Sequence, residues 1–503
     1  MGNLINRYRA VLRKCRVKNA MNRIVLAGAL LAAPLFAEGL SSVTGGTGTV
    51  WAATYSLDNQ ANDFAHTGAP QSDDAESSGL TGTVGTEHAG DSIYGGLATT
   101  PSSQSYDSIA SGNNLTIEGD GSTSFSKIAI AGYASNGGSG SSTASNNVLT
   151  VTNALFDNNG AYITQTGIVG GMADFQSGDV LGKDAIADNN TVTVQGEGSK
   201  VRIRVLGAHA SHNDYSQTVG IARANGNSVD IRDGAWVIGA VLGAEAIGDR
   251  ELEEGYAEAN GNTVKISNAT IGEVDGSTAR NPVTGASVNA MRVQNSYGNT
   301  VEISGSVLTG GHAQEDSKSY VLALSIIAGA DPVSTRDNIV RFSDSEIDGY
   351  VSGTYLETHG GSAEASGTRV TVQGSKVGGD VKGDYVSSTG GDAIAQGGSV
   401  SVLNNSTVGG IITGAFTAVV GTISADSRAS GNTLTIENSK VGSYVYGGLA
   451  MNWSDGIAEA SGNTLDLKNV NALSLIMPSF AQNNGSGKAV AEGNTVTSQG
   501  GTL

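Results

Sequence analysis

Residues 429–442 read ASGNTLTIENSKVG, and residues 365–378 read ASGTRVTVQGSKVG. The second half of this phrase, a Gly-Asn or similar pair followed by aliphatic-polar-aliphatic, recurs along the chain. Its first aliphatic falls at Leu115, Leu149, Val192, Val229, Val264, Val301, Val340, Val370, Val400, Leu434, Leu465 and Val496, at intervals of 30 to 43 residues. A fixed phrase returning at such a period is the signature of a stacked repeat architecture. Within each copy the period is two: Leu434 and Ile436 flank Thr435, and Val264 and Ile266 flank Lys265. Aliphatics therefore face one side and polar residues the other, as in a half-buried strand.

Each copy offers two further extended pieces. About five residues after the first strand come KVGGDVKGDYV (from Lys376), TVGGIITGAF (from Thr407) and KVGSYVYGGL (from Lys440), whose glycines predict a bend or bulge. Before the next copy comes a small-residue alternation: Ala185/Ala187, Ala222/Ala224, Ala257/Ala259, Ala363/Ala365, Ala393/Ala395, Ala458/Ala460 and Ala489/Ala491. One repeat buries too little to stand alone, so the strands must pair coil on coil. The expectation is an all-β fold, a parallel β-helix of about twelve coils with three short strands per coil, close to 55 Å long at roughly 4.8 Å per coil. A β-propeller is the competing arrangement, but twelve copies exceed the usual blade number and some are too short for four strands. The corner pairs Gly226-Asn227, Gly261-Asn262, Gly298-Asn299, Gly431-Asn432, Gly462-Asn463 and Gly493-Asn494 suit tight turns, since both residue types tolerate positive φ. Stacked asparagines at such corners can also hydrogen-bond into a ladder.

The composition agrees. Glycine supplies 73 of 503 residues, proline only 6, and aromatics 5%, while 38% of the chain is hydrophobic. A core built of small aliphatics is implied, not disorder. The first 53 residues differ from the rest. Seven basic residues precede any acid, IVLAGALLAAPLF runs apolar from Ile24 to Phe36, and small residues follow. This is the order of a signal peptide with an extended basic region, spanning 1–53, with cleavage expected after Ala53 and with Ala52 and Ala37 as alternatives. The apolar run is short of the roughly 20 residues a membrane span needs, so the mature chain is not expected to span one by a helix. VLALSIIAGA, Val321 to Ala330, reads as a buried strand. Residues 54–105 lack the motif and are expected to form a loose N-terminal segment or cap, and 106–503 the repetitive β-helix.

Export sets the remaining constraints. The only cysteine, Cys15, lies in the leader, so the mature chain forms no disulfide. Removing the seven basic residues and Glu38 of the leader from totals of 28 and 47 leaves 21 basic and 46 acidic residues, a net charge of −25. Such a surface repels nucleic acid. Six histidines are present, His66, His88, His209, His212, His312 and His359. His209 and His212, in AHASHND, lack a carboxylate or cysteine frame for metal and read as a surface loop. The acidic run DRELEEGYAE, Asp249 to Glu258, reads as a solvated loop. The tandem G-G-x-G-x-D series of calcium-binding solenoids is absent, and the glycines recur at a structural period, not as a phosphate loop. No catalytic, cofactor-binding or metal residue is assigned, and no cofactor is expected.

With these residues in view, the long basic leader INRYRAVLRKCRVKNAMNRIVLAG, the cysteine-free acidic product and the repeated GNTVxI strands resemble the passenger domains of Gram-negative autotransporters. The resemblance implies a β-helical rod displayed at the cell surface or released, often an adhesin toward glycans or proteins of host or neighbouring cells. It also implies a C-terminal β-barrel anchor in the outer membrane, and this sequence ends instead in GNTVTSQGGTL, inside a repeat. The expectation is therefore an incomplete C-terminus, with a passenger-like protein released without an anchor of its own as the alternative. A secreted β-helical enzyme that degrades polysaccharides is the alternative, and it would gather carboxylates on one strand face over adjacent coils.

Overall fold

In the computed structural model, residues 53–55, 75–86, 92–100 and 106–502 are described, apart from 126–127, 157–166, 176–183, 213–219, 249–255, 273–281, 294–295, 310–318, 330, 422–423 and 473–474. The chain divides into two units, residues 1–46 with 55–68, and 47–54 with 69–503. Apart from Tyr55, everything described below belongs to the second.

Every regular element among the described residues is a β-strand, and every strand pairing between consecutive coils is parallel. The unit is a β-solenoid. One coil shows the plan. Ala363–Ser366 forms one face, Arg369–Gln373 and Lys376–Val377 form a second, split face, and Val381–Ser388 forms the third, made of long strands. Each segment then pairs with its counterpart in the next coil: Ala363 with Ala393, Val370 with Val400, Lys376 with Thr407, and Val381 with Ile412. A coil thus has three faces but four strand segments, because the glycine-containing bend expected after Lys376 divides that piece into two strands.

The split face carries the expected alternation. In Arg369–Gln373 only Val370 and Val372 are buried, and in Thr433–Glu437 only Leu434 and Ile436. These aliphatics form one core with the first half of each long strand, for example Val351, Val381 and Ile412. A second core lies beside it, where the alanine pairs of the short face meet the second half of the long strands, such as Leu356, Val386 and Ala450. Small side chains predominate on the short face, where two sheets close on each other, and Val293 and Val333 take the alanine position in two coils. Ala363, Ala365, Ala393, Ala395, Ala458 and Ala460 are all fully buried, whereas Ala489 and Ala491, in the last coil, are exposed.

The two cores are separated by a column of asparagines. The backbone N–H and the side-chain amide of Asn227 both donate to Asn262 Oδ1, at 2.9 and 3.0 Å. Asn262 does the same to Asn299, at 3.0 and 3.0 Å. The ladder runs from Asn113 through Asn147, Asn190, Asn227, Asn262 and Asn299 to Asn338, then resumes from Asn432 through Asn463 to Asn494. The corner pairs are therefore divided in labour. Gly226, Gly261, Gly298, Gly431, Gly462 and Gly493 take positive φ between 62° and 68°, which a residue with a Cβ adopts only at a cost. Asn227, Asn262, Asn299, Asn432, Asn463 and Asn494 do not, so positive φ is not their role. They satisfy buried backbone donors instead.

The long strands also pass through two inward residues in succession, as at Gly383 and Asp384. A Cβ on Gly383 would meet the carbonyl oxygen of Gly414 in the next coil at 2.0 Å, so the backbones close in as only glycine allows. Residues 54–105, expected to be loose or a cap, contain strands of an additional coil. Thr81–Val84 pairs with the first motif strand, Gly82 facing Leu115, and Ser92–Thr100 joins the long-strand sheet. The motif was missed here because Gly82 stands where every other copy has an aliphatic. Ala53 opens a three-residue strand at the edge of the long-strand sheet, while Ala52 and Ala37 lie outside the described residues.

Candidate functional site

Side chains pointing outward from the long-strand sheet form columns, and one column changes chemistry along the axis. The register places Met172, His209, Glu245, Ser287, Ser325, Tyr355, Tyr385, Phe416, Leu449 and Phe480 in line, one per coil. Its charged part is the candidate site.

His209 belongs to the strand Val205–His212, so the surface-loop reading of His209 and His212 is corrected. His212 is 4% exposed and His209 projects outward between the buried Ala208 and Ala210. In the adjacent strand Val241–Ile247, Glu245 sits between Ala244 and Ala246 in the same way. Parallel register brings the two together: His209 Nδ1 lies 2.9 Å from Glu245 Oε2, and Arg204 donates to Glu245 Oε1 at 2.9 Å. On the opposite flank, Asp174 is held in register with Ser211, diagonal to His209. It is 1% exposed and its Oδ1 has no hydrogen-bond partner.

These neighbours decide protonation. For His209, burial works against the charged ring, but the Glu245 carboxylate outweighs it and raises the pKa above its ordinary value. Burial also opposes charge on Glu245, yet Arg204 and His209 together hold its carboxyl well below the usual carboxylate range. Asp174 goes the other way, raised by burial and only partly relieved by His209. The result is a carboxylate clamped between the Arg204 guanidinium and the His209 ring, whose charged form it favours. A general base must be free to take a proton, and a glycoside-cleaving pair needs two carboxyl groups facing a substrate. Glu245 is committed to its partners, and the geometry is that of an ion-pair network. Among the described residues no group of three or more His, Cys, Asp or Glu is placed to hold a metal ion.

The sequence did contain a signal for this cluster. VLGAHA at 205–210 and VLGAEA at 241–246 are the same phrase with His209 and Glu245 exchanged, and aligning the repeats on the long strand would have paired them. Of the other histidines, His359 is exposed beyond the strand Tyr350–Thr358, and His66, His88 and His312 lie outside the described residues. From Asp249–Glu258 only Tyr256–Glu258 is described, as a strand. Of the stretch Val321–Ala330, residues Val321–Ala328 lie in the strand Tyr320–Ala328, as expected, and Ala330 lies outside the described residues.

Farther along the column, the rings of Tyr355, Tyr385 and Phe416 stack on one another with centroids 4.9 and 5.0 Å apart and interplanar angles of 2° and 18°. Their faces are used by one another, so edges, not faces, point to solvent. Toward the last coils the outer face becomes openly apolar, with Tyr444 and Trp453 exposed at 43% and 39%.

The charged cluster gives a first prediction. Glu245→Gln leaves Arg204 and His209 without their counter-charge and should lower stability by about 2 kcal/mol, the side chains keeping 12–19% exposure and so some solvent screening. The sign with pH follows. His209, with its raised pKa, contributes fully below about its ordinary 6.5 and loses that contribution as pH rises through its folded value. Glu245, with its lowered pKa, contributes fully above about 4.5 and loses it only as pH falls. The difference between wild type and Glu245→Gln in urea midpoint should therefore be largest between these limits and shrink on both sides. A difference independent of pH would contradict the pairing.

Comparison with protein-family models, curated proteins and solved structures finds no match to this chain.

Proposed function

We propose that the chain is an exported β-solenoid rod that acts through contact, as an adhesin or structural spacer at the cell surface or outside the cell, in the manner of an autotransporter passenger. The observation that supports this reading best is the division of labour along the repeat. The recurring aliphatics, alanines and corner asparagines are consumed by the two cores and the ladder. What differs from coil to coil is the outward chemistry of the long-strand sheet. Contacts spread over several coils suit recognition of an extended surface, and variable outward residues on a rigid scaffold are where binding usually resides. The acidic surface disfavours nucleic acid, and the leader at 1–53 directs export.

The alternative, a secreted polysaccharide-degrading enzyme, has its nearest candidate in Asp174, His209 and Glu245. The committed ion pairing of His209 and Glu245 argues for structure over catalysis. Expressing the full chain in a Gram-negative host, fractionating the cells and sequencing the exported product's N-terminus tests the export reading. A product beginning at Thr54 is expected. Retention in the cytoplasm with the leader intact would overturn export, and exported chain that confers no adherence to cells or glycan surfaces would overturn the adhesive reading.

A further inference from the structure

The asparagine ladder is interrupted across two coils, and the interruption has a definite chemistry. In a regular coil the corner asparagine packs against a small residue of the long strand before it: a Cβ on Gly132 would lie 2.3 Å from Asn147 Nδ2, and one on Gly171 2.4 Å from the Asn190 amide. In the next-to-last coil a Cβ on Gly448 would similarly meet Asn463 at 2.5 Å. Where the ladder breaks, the corner residues are Thr368 and Gly398, and the long-strand residues opposite them are Thr354 and Asp384. At the second of these coils the polar group has changed sides. The corner has lost its side chain, and Asp384 has grown into the space: a Cβ on Gly398 would lie 3.3 Å from Asp384 Oδ2 and 3.4 Å from Asn432 Oδ1.

Asp384 is fully buried, and neither carboxyl oxygen meets a donor at hydrogen-bonding geometry. Thr354 comes from the strand before, Thr368 and Gly398 from the adjoining corners, Ala415 from the strand after and Asn432 from the resumed ladder. None of them titrates or carries charge. The Thr354 and Thr368 hydroxyls bond each other at 3.2 Å, and Thr354 Oγ1 also accepts from the Asn338 amide at 3.3 Å. A buried carboxylate with no cation and only two threonine hydroxyls beside it, short of good hydrogen-bond geometry, is costly, whereas a carboxylic acid is neutral and nearly the shape of an asparagine amide.

We propose that this seam is a proton-dependent lock: protonated Asp384 stands in for the asparagine missing at Gly398, and loss of its proton loosens the coils on either side. The direction agrees with burial, which pushes the Asp384 carboxyl up to about 6, partly offset by the two threonine hydroxyls. An acid whose folded pKa is raised stabilises the fold fully below its unfolded value near 3.8, and that contribution is lost as pH rises through about 6. The device therefore tightens the rod in mild acid and relaxes it at neutral pH.

Hydrogen exchange of the full chain between pH 4 and 8, corrected for intrinsic exchange, tests this in the strands Val381–Ser388 and Ile412–Val419. Wild type is expected to lose protection there by roughly 10- to 100-fold as pH rises from about 4 to 6 and to stay flat above, a shift of about two pKa units corresponding to about two decades. Asp384→Asn is expected to remove that loss and to be the better protected form above pH 6. Should Asp384→Asn not fold, the double variant Asp384→Ala/Gly398→Asn rebuilds the Ala415–Asn432 arrangement of the next coil and is expected to be flat over the same window. A wild-type profile without the loss, or a variant that retains it, overturns the proposal.

Discussion

Asn262→Ala is expected to lower stability by about 3–5 kcal/mol, more than its modest change in volume would suggest. Oδ1 of Asn262 accepts from the backbone N–H and the side-chain amide of Asn227, and all three asparagines from Asn227 to Asn299 are fully buried. Alanine leaves two donors on Asn227 without their acceptor in a fully buried position, and each orphaned buried group costs about 1–3 kcal/mol. The acceptor of Asn299 loses its partner amide as well. Because each coil touches only its neighbours, the damage should be local, and unfolding need not be two-state. Trp236 pairs with Thr270, in the coil that contains Asn262, whereas Trp453 lies far along the solenoid. In urea, the fluorescence transition of Trp236 should therefore move well before that of Trp453, as read from single-tryptophan variants. Equal shifts of both would mean that the ladder is not a local device.

Phe342→Ala is expected to cost about 3–5 kcal/mol by a different route. Phe342 occupies the second inward position of its strand, between Ile303 and Val372 in register, and is fully buried. Deleting the ring opens a cavity between strands that the backbone hydrogen bonds hold at fixed spacing, so little collapse can relieve it. Phe342→Leu keeps most of the volume and should cost less than about 1.5 kcal/mol. The ratio between the two variants, read from urea midpoints, separates packing from simple hydrophobicity. Similar losses for both would contradict the cavity argument.

The repeat made the scaffold legible because parallel stacking puts the same position of every coil in the same environment. Val370 and Val372 had to be inward once Val264 and Ile266 were, and the alanine pairs had to mark a close approach. The coil at 75–100 escaped notice because Gly82 and Val84 keep the geometry of the motif without its aliphatic pair. The cluster at His209 escaped for the opposite reason. Its residues lie 36 positions apart and meet only through the register of the long strands, which the corner motif does not fix directly. Asp384 was hidden because a buried acid looks, in sequence, like one more charge among 47. Only the gap at Gly398 opposite it gives it meaning. In each case the repeated letters describe support, and the departures from them mark where the chemistry is.

The most direct measurement is binding of the exported chain to glycan arrays and intact cells, with polysaccharide cleavage followed in the same samples for wild type and Glu245→Gln. Saturable binding without release of sugar fragments, and unchanged in kind by Glu245→Gln, is the expected result for a contact rod. Reproducible cleavage of a polymer that Glu245→Gln abolishes would contradict it and make the charged column an active site.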